Sequence, residues 1–229
     1  MTASAASSSA IRVCRLGFVN AYLVPEDDGF TLIDTMMKGS GRKIAAAANE
    51  RGLPIKRIAL THAHGDHVGS VDELVKQLPG VEVLISARDA RFLNKDDMSL
   101  DPGEPQDKLR GGFPGIATRP TATFQPGDTV GSLQVVAAPG HTPGHVGFLD
   151  PRDGTLYCGD TYTTIGRVAT TAKPGFPFPL AAMSTWSRAT ELQSARTLRA
   201  LNPDFLAPGH GRIVANPGAA MDAAIRKAS

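Results

Sequence analysis

Three of the chain's six histidines fall within six residues, in His62-Ala63-His64-Gly65-Asp66-His67. Side chains at i and i+2 of an extended segment point the same way, so His62 and His64 can reach one ion together. Asp66 and His67 come where the chain turns into a helix, and swing toward a neighbouring point. Neutral imidazole and carboxylate suit a borderline ion such as zinc, at about 2.0–2.2 Å. One cluster therefore supplies half-sites for two metals. Three Gly/Pro-rich turns beside expected strands offer the completing ligands. They are His141 in Pro139-Gly140-His141-Thr142-Pro143-Gly144-His145, Asp160 in Cys158-Gly159-Asp160-Thr161 and His210 in Pro208-Gly209-His210-Gly211. Glycine beside a ligand lets backbone pack close to an ion. A lone histidine is more often structural than a ligand; here the clustering points to a metal centre.

Hydrolysis is the chemistry expected of such a centre. Two zinc ions about 3.5–4 Å apart can share a hydroxide, because metal binding lowers the pKa of water to about 7. A substrate carbonyl would place its oxygen on one metal. Asp66 and Asp160 balance the charge of the ions, and either could shuttle a proton to the leaving group. Tyr162, two residues past Asp160, is a candidate hydrogen-bond donor to the oxyanion.

The elements that must position these groups can be read from the pattern. Arg12 to Val24 and Gly29 to Asp34 read as strands around a turn at Pro25-Glu26-Asp27-Asp28, and Ser40 opens a helix to about Arg51. Arg57 to Thr61 is a short buried strand leading into the histidine cluster. Val68, Val71, Leu74, Val75 and Leu78 form an apolar stripe at helical spacing, with Asp66 as its expected N-cap. Val81 to Ile85 is a strand, and Ser86 caps a short helix. Asn94 to Gly115 dissolves into Asp, Pro, Gly, Lys and Arg, a loop length that is usually functional or disordered. Strands follow over Ala117–Phe124, Leu133–Ala138, Val146–Leu149 and Thr155–Cys158. A second irregular stretch, Thr161 to Met183, precedes a helix over Thr185–Leu201, a brief strand at Phe205-Leu206 and a last helix from Asn216-Pro217. Strands and helices thus come twice in mixed order, as two sheet layers with helices outside.

The 229 residues suit one α/β domain, read here as residues 11–229 behind a disordered leader over 1–10. Hydrophobic residues are 41% and charged residues 20%, with a formal charge of +2 and no Lys or Arg run. That excludes an evident nucleic-acid or membrane footprint and leaves a small molecule as the expected partner. No apolar run approaches the ~18–20 residues of a membrane helix, and no signal peptide is evident. The default expectation is a cytoplasmic protein. The sequence assigns no oligomeric state, a dimer being one option. Cys14 and Cys158 are too few for a disulfide framework and read as small buried hydrophobes.

His62-x-His64-x-Asp66-His67 followed by His141, Asp160 and His210 resembles, motif by motif, the metal ligands of the metallo-β-lactamase superfamily. Leu32-Ile33-Asp34-Thr35 resembles its early strand-end motif. The resemblance spans roughly residues 12 to 215. It implies an α/β fold, a four-layer αββα sandwich with the metals at one sheet edge. It also implies that His62, His64 and His141 hold one metal, that Asp66, His67 and His210 hold the other, and that Asp160 bridges them. Asp34 would stand behind the ligands, and His145 is kept off the ligand list. The implied cofactors are two divalent ions, zinc ahead of iron or manganese.

The fold is poorly specific for substrate. True β-lactamases of the superfamily usually carry Cys or Ser where this chain has Asp160, which leaves only weak β-lactamase activity in view. Gly159-Asp160-Thr161 with Gly166-Arg167 resembles a thioester hydrolase of the glyoxalase II type, whose additional C-terminal helical region is not matched in the nineteen residues after His210. The lactonases place a Tyr three residues after the bridging Asp, where this chain has Thr163. A mononuclear iron persulfide dioxygenase would not need the complete second site, and a non-catalytic metal-binding sensor would be expected to have lost ligands. The expectation is a metal-dependent hydrolase of the lactonase or esterase kind. The stretch Phe176 to Trp186 would be its apolar wall.

Overall fold

The computed structural model describes residues 9–229. Most of the expected leader, residues 1–8, lies outside the described residues. At its end Ser9 donates through its backbone N–H and its hydroxyl to Asp153 Oδ2, at 2.9 and 3.1 Å. The elements are β1 (Ile11–Arg15), β2 (Val19–Glu26), β3 (Gly29–Ile33), α1 (Gly41–Asn49), β4 (Ile55–Ala59), α2 (Gly65–Val68), α3 (Val71–Gln77), β5 (Glu82–Ser86), α4 (Ala87–Leu93), β6 (Ala122–Phe124), β7 (Thr129–Val130), β8 (Leu133–Ala137), β9 (Val146–Asp150), β10 (Thr155–Thr163), β11 (Ala169–Thr170), α5 (Leu180–Met183), α6 (Arg188–Ala200), β12 (Phe205–His210), β13 (Val214–Ala215) and α7 (Gly218–Ala228).

The strands form one ladder in the order β6-β5-β4-β3-β2-β12-β10-β9-β8-β7. Its two halves meet at β2 and β12 through a single register pair, Val19 with His210. That thin joint lets the ladder fold over itself, and strand alternation then sorts the apolar side chains into three layers. Ala21 and Leu23 of β2, Phe30 and Leu32 of β3 and Ile58 of β4 face one way, against Ile44 of α1, Leu74 of α3 and Phe92 of α4. Their neighbours Tyr22, Val24, Ile33 and Ala59 face the other way, where they meet Val135, Phe148, Tyr157 and Ala207 of the second half. The opposite faces of β10 and β12, with Leu156, Cys158 and Leu206, pack on Ala195 and Leu198 of α6 and Met221 of α7. The result is the expected αββα sandwich. Cys158 is buried in its outermost apolar layer, and both cysteines are free. Among the described residues, no helix is long and apolar enough to cross a membrane.

Several boundaries differ from expectation for local reasons. The first expected strand is two, turned at Leu16 and Gly17, both with positive φ. The helix expected from Asp66 breaks at Gly69-Ser70. Ser70 is claimed by the β3–α1 connection: its hydroxyl donates to Met37 O at 2.9 Å and accepts from Ser40 N at 2.8 Å. His64 takes the N-cap position and Asp66 lies in the first turn, with no side-chain cap bond. Ser86 caps α4 as expected, accepting from Asp89 N at 3.1 Å. Only residues 122–124 of the strand expected over 117–124 form a strand. The 94–121 connection stays irregular and is bound to α4: Arg88 makes a bidentate pair with Glu104, and Arg91 pairs with Asp101. In contrast, β10 runs on to Thr163, β12 runs on to His210, and part of the second irregular stretch forms α5.

Candidate metal centre

The expected ligands leave four places in the chain and converge. His62, His64, Asp66 and His67 follow β4 into α2, His141 lies between β8 and β9, Asp160 lies within β10, and His210 ends β12. All but Asp66 are buried. Their ligand-capable atoms form three overlapping groups, His62/His64/His141, His62/His67/Asp160 and Asp66/His67/His210, each within 4.8 Å. Asp160 joins them. Its Oδ1 lies 3.3 Å from His67 Nε2, while its Oδ2 lies 3.1 Å from His210 Nε2 and 3.5 Å from His141 Nε2. Asp66 Oδ2 is 3.3 Å from His210 Nε2.

Local backbone makes this convergence possible. Register breaks on either side of Gly159 turn Asp160 out of the regular β10 pattern. A Cβ at Gly209 would sit 2.4 Å from Asp160 Oδ1 and 2.5 Å from the His67 ring, so only glycine lets β12 pass this close. Asp34 holds the left-handed conformation, φ 57°, at the end of β3. Such strain persists only where the surroundings over-determine it. Here its carboxylate accepts from Thr61 N at 2.8 Å, from the Thr61 hydroxyl at 2.8 Å and from His67 Nδ1 at 2.8 Å.

The donor set fits divalent cations. Behind the cluster, His62 Nδ1 meets Thr61 Oγ1 at 3.0 Å and His141 Nδ1 meets Thr185 Oγ1 at 3.1 Å. Both hydroxyls spend their own protons elsewhere, on Asp34 and on Thr171 O, so they accept from the rings. With His67 Nδ1 directed at Asp34, the ring protons point outward and the inward Nε2 atoms carry lone pairs. His62 Nε2, His67 Nε2 and Asp160 Oδ1 are buried without a hydrogen-bond partner. Unpaired buried polar atoms are costly, and a cation bound among these three would satisfy them all.

Electrostatics divides the histidines. Burial drives His62 and His141 well below the usual imidazole range and His64 to about 4, so these three are neutral at pH 7. Burial also opposes charge on His210, but Asp160 and Asp66 outweigh it and push it up to about 9. His67 is raised for the same reason by Asp160, Asp34 and Asp66. Burial alone would raise the Asp160 carboxyl, yet His210 and His67 hold it well below the usual carboxylate range. A cation taking the His67 and His210 lone pairs would displace protons.

Two nearby residues have other jobs. His145 donates from Nδ1 to Ala138 O at 3.0 Å and accepts from Asp160 N at 3.0 Å, so it fixes the Asp160 backbone and has no nitrogen left for an ion. The role expected for Tyr162 is corrected. Its ring is buried in the α6-side layer and its hydroxyl donates to Ala195 O at 2.7 Å, which leaves no proton for an oxyanion.

Sequence reasoning missed Asp89, the clamp between two ligand loops. Its buried carboxylate accepts from Ala63 N at 3.0 Å, from the Thr142 hydroxyl at 2.8 Å and from Gly144 N at 2.8 Å. Burial pushes this carboxyl up to about 6 despite those bonds. Phe18 was missed as well. Its ring lies 5.4 Å from Phe178, and the two rings lie 6.2 and 5.1 Å from that of His210.

A cavity of about 250 Å³ opens onto the cluster. Phe18, Met37, Phe178 and Leu180 line it beside His64, Asp66, His141, Asp160 and His210, with no Lys or Arg. Of the expected apolar wall, Phe178 and Leu180 reach the cavity, whereas Phe176 and Met183 face solvent. Arg167 and Lys173 line a separate hollow with Lys227.

Comparison with known proteins agrees with this architecture. The family model of the metallo-beta-lactamase superfamily matches residues 14–210. A Bacillus subtilis protein named "Uncharacterized protein YobT" is 44% identical over 211 residues, covering 92% of this chain and 90% of its own. A hydroxyacylglutathione hydrolase of Gloeobacter violaceus is 32% identical over 146 residues, 62% of this chain; the match spans 48% of that relative's length. The crystal structure of TTHA1623 in a di-iron-bound form superposes with a TM-score of 0.63 at 28% identity, covering 91% of this chain and 95% of the other.

Proposed function

This chain belongs to the metallo-beta-lactamase superfamily of metal-dependent hydrolases, and from that premise we propose that it hydrolyses a small carboxylic ester or lactone with an apolar portion, using two divalent ions, zinc first among them. His62, His64 and His141 would hold one ion, Asp66, His67 and His210 the other, and Asp160 both. The observation that carries this reading is the placement of the two Asp160 oxygens, which together approach imidazoles of both groups.

Such ions, when bound, acidify a water molecule and polarise a carbonyl. The chain's own groups supply the rest. Asp160 and Asp66 counter the added charge. Asp160 is buried, whereas the Asp66 side chain is 41% exposed at the cavity. Asp66 is therefore the carboxylate placed to take a proton from the attacking water and pass it to a departing alcohol. Phe18, Phe178, Met37 and Leu180 would shed water from the acyl side of a substrate. A phosphodiester or a glutathione conjugate would call for cations in the cavity, and Arg167 and Lys173 stand elsewhere.

The test is a panel of acyl lactones, aryl esters, a glutathione thioester, a phosphodiester and a β-lactam, assayed on metal-loaded protein under one set of conditions. Esters or lactones should show the highest kcat/KM. Phe178→Ala should raise KM about tenfold for a long acyl chain and leave an acetyl ester nearly unchanged, since removing a buried aromatic contact forfeits about 1.5–3 kcal/mol. The hydroxyacylglutathione hydrolase relatives favour a second reading, thioester hydrolysis. A thioester kcat/KM well above every ester and lactone would select it and reject the first.

A further inference from the structure

Three of the clustered imidazoles are oriented from behind by side chains: His62 by Thr61, His67 by Asp34 and His141 by Thr185. His64 is different. Its Nε2 lies 3.0 Å from the backbone carbonyl of Arg110, which belongs to the irregular 94–121 connection. A carbonyl can only accept, so the ring proton sits on Nε2 and the Nδ1 lone pair faces His141 Nε2, 3.0 Å away.

The segment that supplies this carbonyl is tied at both ends. Trp186 Nε1 donates to Asp107 O at 3.0 Å, and Gly65 N donates to Gly112 O at 2.9 Å. The next residue, Phe113, lays its ring 4.7 Å from that of His64 and 5.3 Å from that of Phe92 in the core. Between the ties the backbone presses on the ligand. Gly111 has φ +81°, and a Cβ there would sit 2.3 Å from His64 Nε2. Trp186 is itself buried and donates from its backbone N–H to His141 O at 3.1 Å. One residue thus anchors the strap that orients His64 and touches the loop that carries His141.

We propose that the 107–112 strap, pinned by the Trp186 indole, is the device that positions His64, so that Gly111 and Trp186 are positioning residues that set the affinity of the three-histidine site. The inference rests on the reading of His64 as a metal ligand. It predicts asymmetry: loosening the strap weakens the ion at His62, His64 and His141, because His67 takes its orientation from Asp34 and His210 is carried by the end of β12.

The experiment titrates chelator-treated wild type, Trp186→Phe and Gly111→Ala with zinc in competition with a chromophoric chelator. Thermal unfolding of each chelator-treated protein is recorded alongside. Wild type should take up two ions. Each variant should hold one ion within about threefold of wild-type affinity and the other about 10–100-fold more weakly, the usual cost of losing an outer partner of a metal ligand. A purely structural role for Trp186 would lower the unfolding temperature without separating the two ions. If the strained Gly111→Ala chain does not fold, Trp186→Phe decides. Two ions bound within threefold of wild type by Trp186→Phe, or both weakened equally, would overturn the strap's role and leave the two-ion reading standing. A wild-type chain that takes up fewer than two ions overturns that reading, and this inference with it.

Discussion

Asp160→Ala is expected to strip the chain of both ions and to lower kcat/KM on the order of 10²-fold or more, the scale seen when partners in a metal site are lost. The carboxylate is buried and lies within 3.1–3.5 Å of His67, His141 and His210. No neighbouring acid can take its place. Asp66 reaches His210 from the solvent side, and Asp34 is already committed to His67 and Thr61. Asp160→Asn keeps the volume and removes the charge, so it should lose metal almost as fully. Cys158→Ala is the control. Its thiol lies in the α6-side layer, so the variant should lose some stability and keep its metal content. Metal content is read by elemental analysis after desalting. Full metal and full rate in Asp160→Ala, with both lost in Cys158→Ala, would mean that the wrong residue has been assigned.

The second large effect is on stability. Asp89→Ala removes the acceptor for the N–H groups of Ala63 and Gly144 and for the Thr142 hydroxyl, all buried. A buried donor left unpaired costs about 1–3 kcal/mol, so the substitution should cost about 3–5 kcal/mol in all. For a chain of this size that is roughly a 10 °C drop in unfolding temperature. Urea unfolding of chelator-treated protein separates this from any effect of bound ions. A midpoint equal to that of wild type would show that the 62–67 and 141–145 loops do not depend on Asp89.

The legible parts of this molecule are those whose signal is local. The His62-x-His64-x-Asp66-His67 cluster and the turns at His141, Asp160 and His210 stand out by residue type and spacing, and the structure brings all seven side chains together. The stripe from Val68 to Leu78 likewise marks, in sequence, a helical face that packs on the first layer. What was not legible acts at a distance or through the backbone. Asp89 looks like an ordinary first-turn acid of a short helix, and its partners are 26 to 55 residues away. The Arg110 carbonyl has no side-chain signature at all. Phe18 sits in a turn inside what reads as one strand. Tyr162 could have been placed correctly. With β10 carried through Thr163, it lies inside a strand buried along its whole length, in the layer that packs on α6. Expecting that strand to stop at Cys158 turned a buried tyrosine into a candidate oxyanion donor.

The central claim is that one chain holds two ions between its four ligand-bearing segments. Elemental analysis of protein purified without chelator tests it most directly. The account predicts close to two equivalents of zinc, iron or manganese per chain, falling to about one in His210→Ala, since that imidazole belongs to the group with Asp66 and His67 and its loss leaves the His62, His64 and His141 group intact. One equivalent in the native chain, unchanged in His210→Ala, would contradict it.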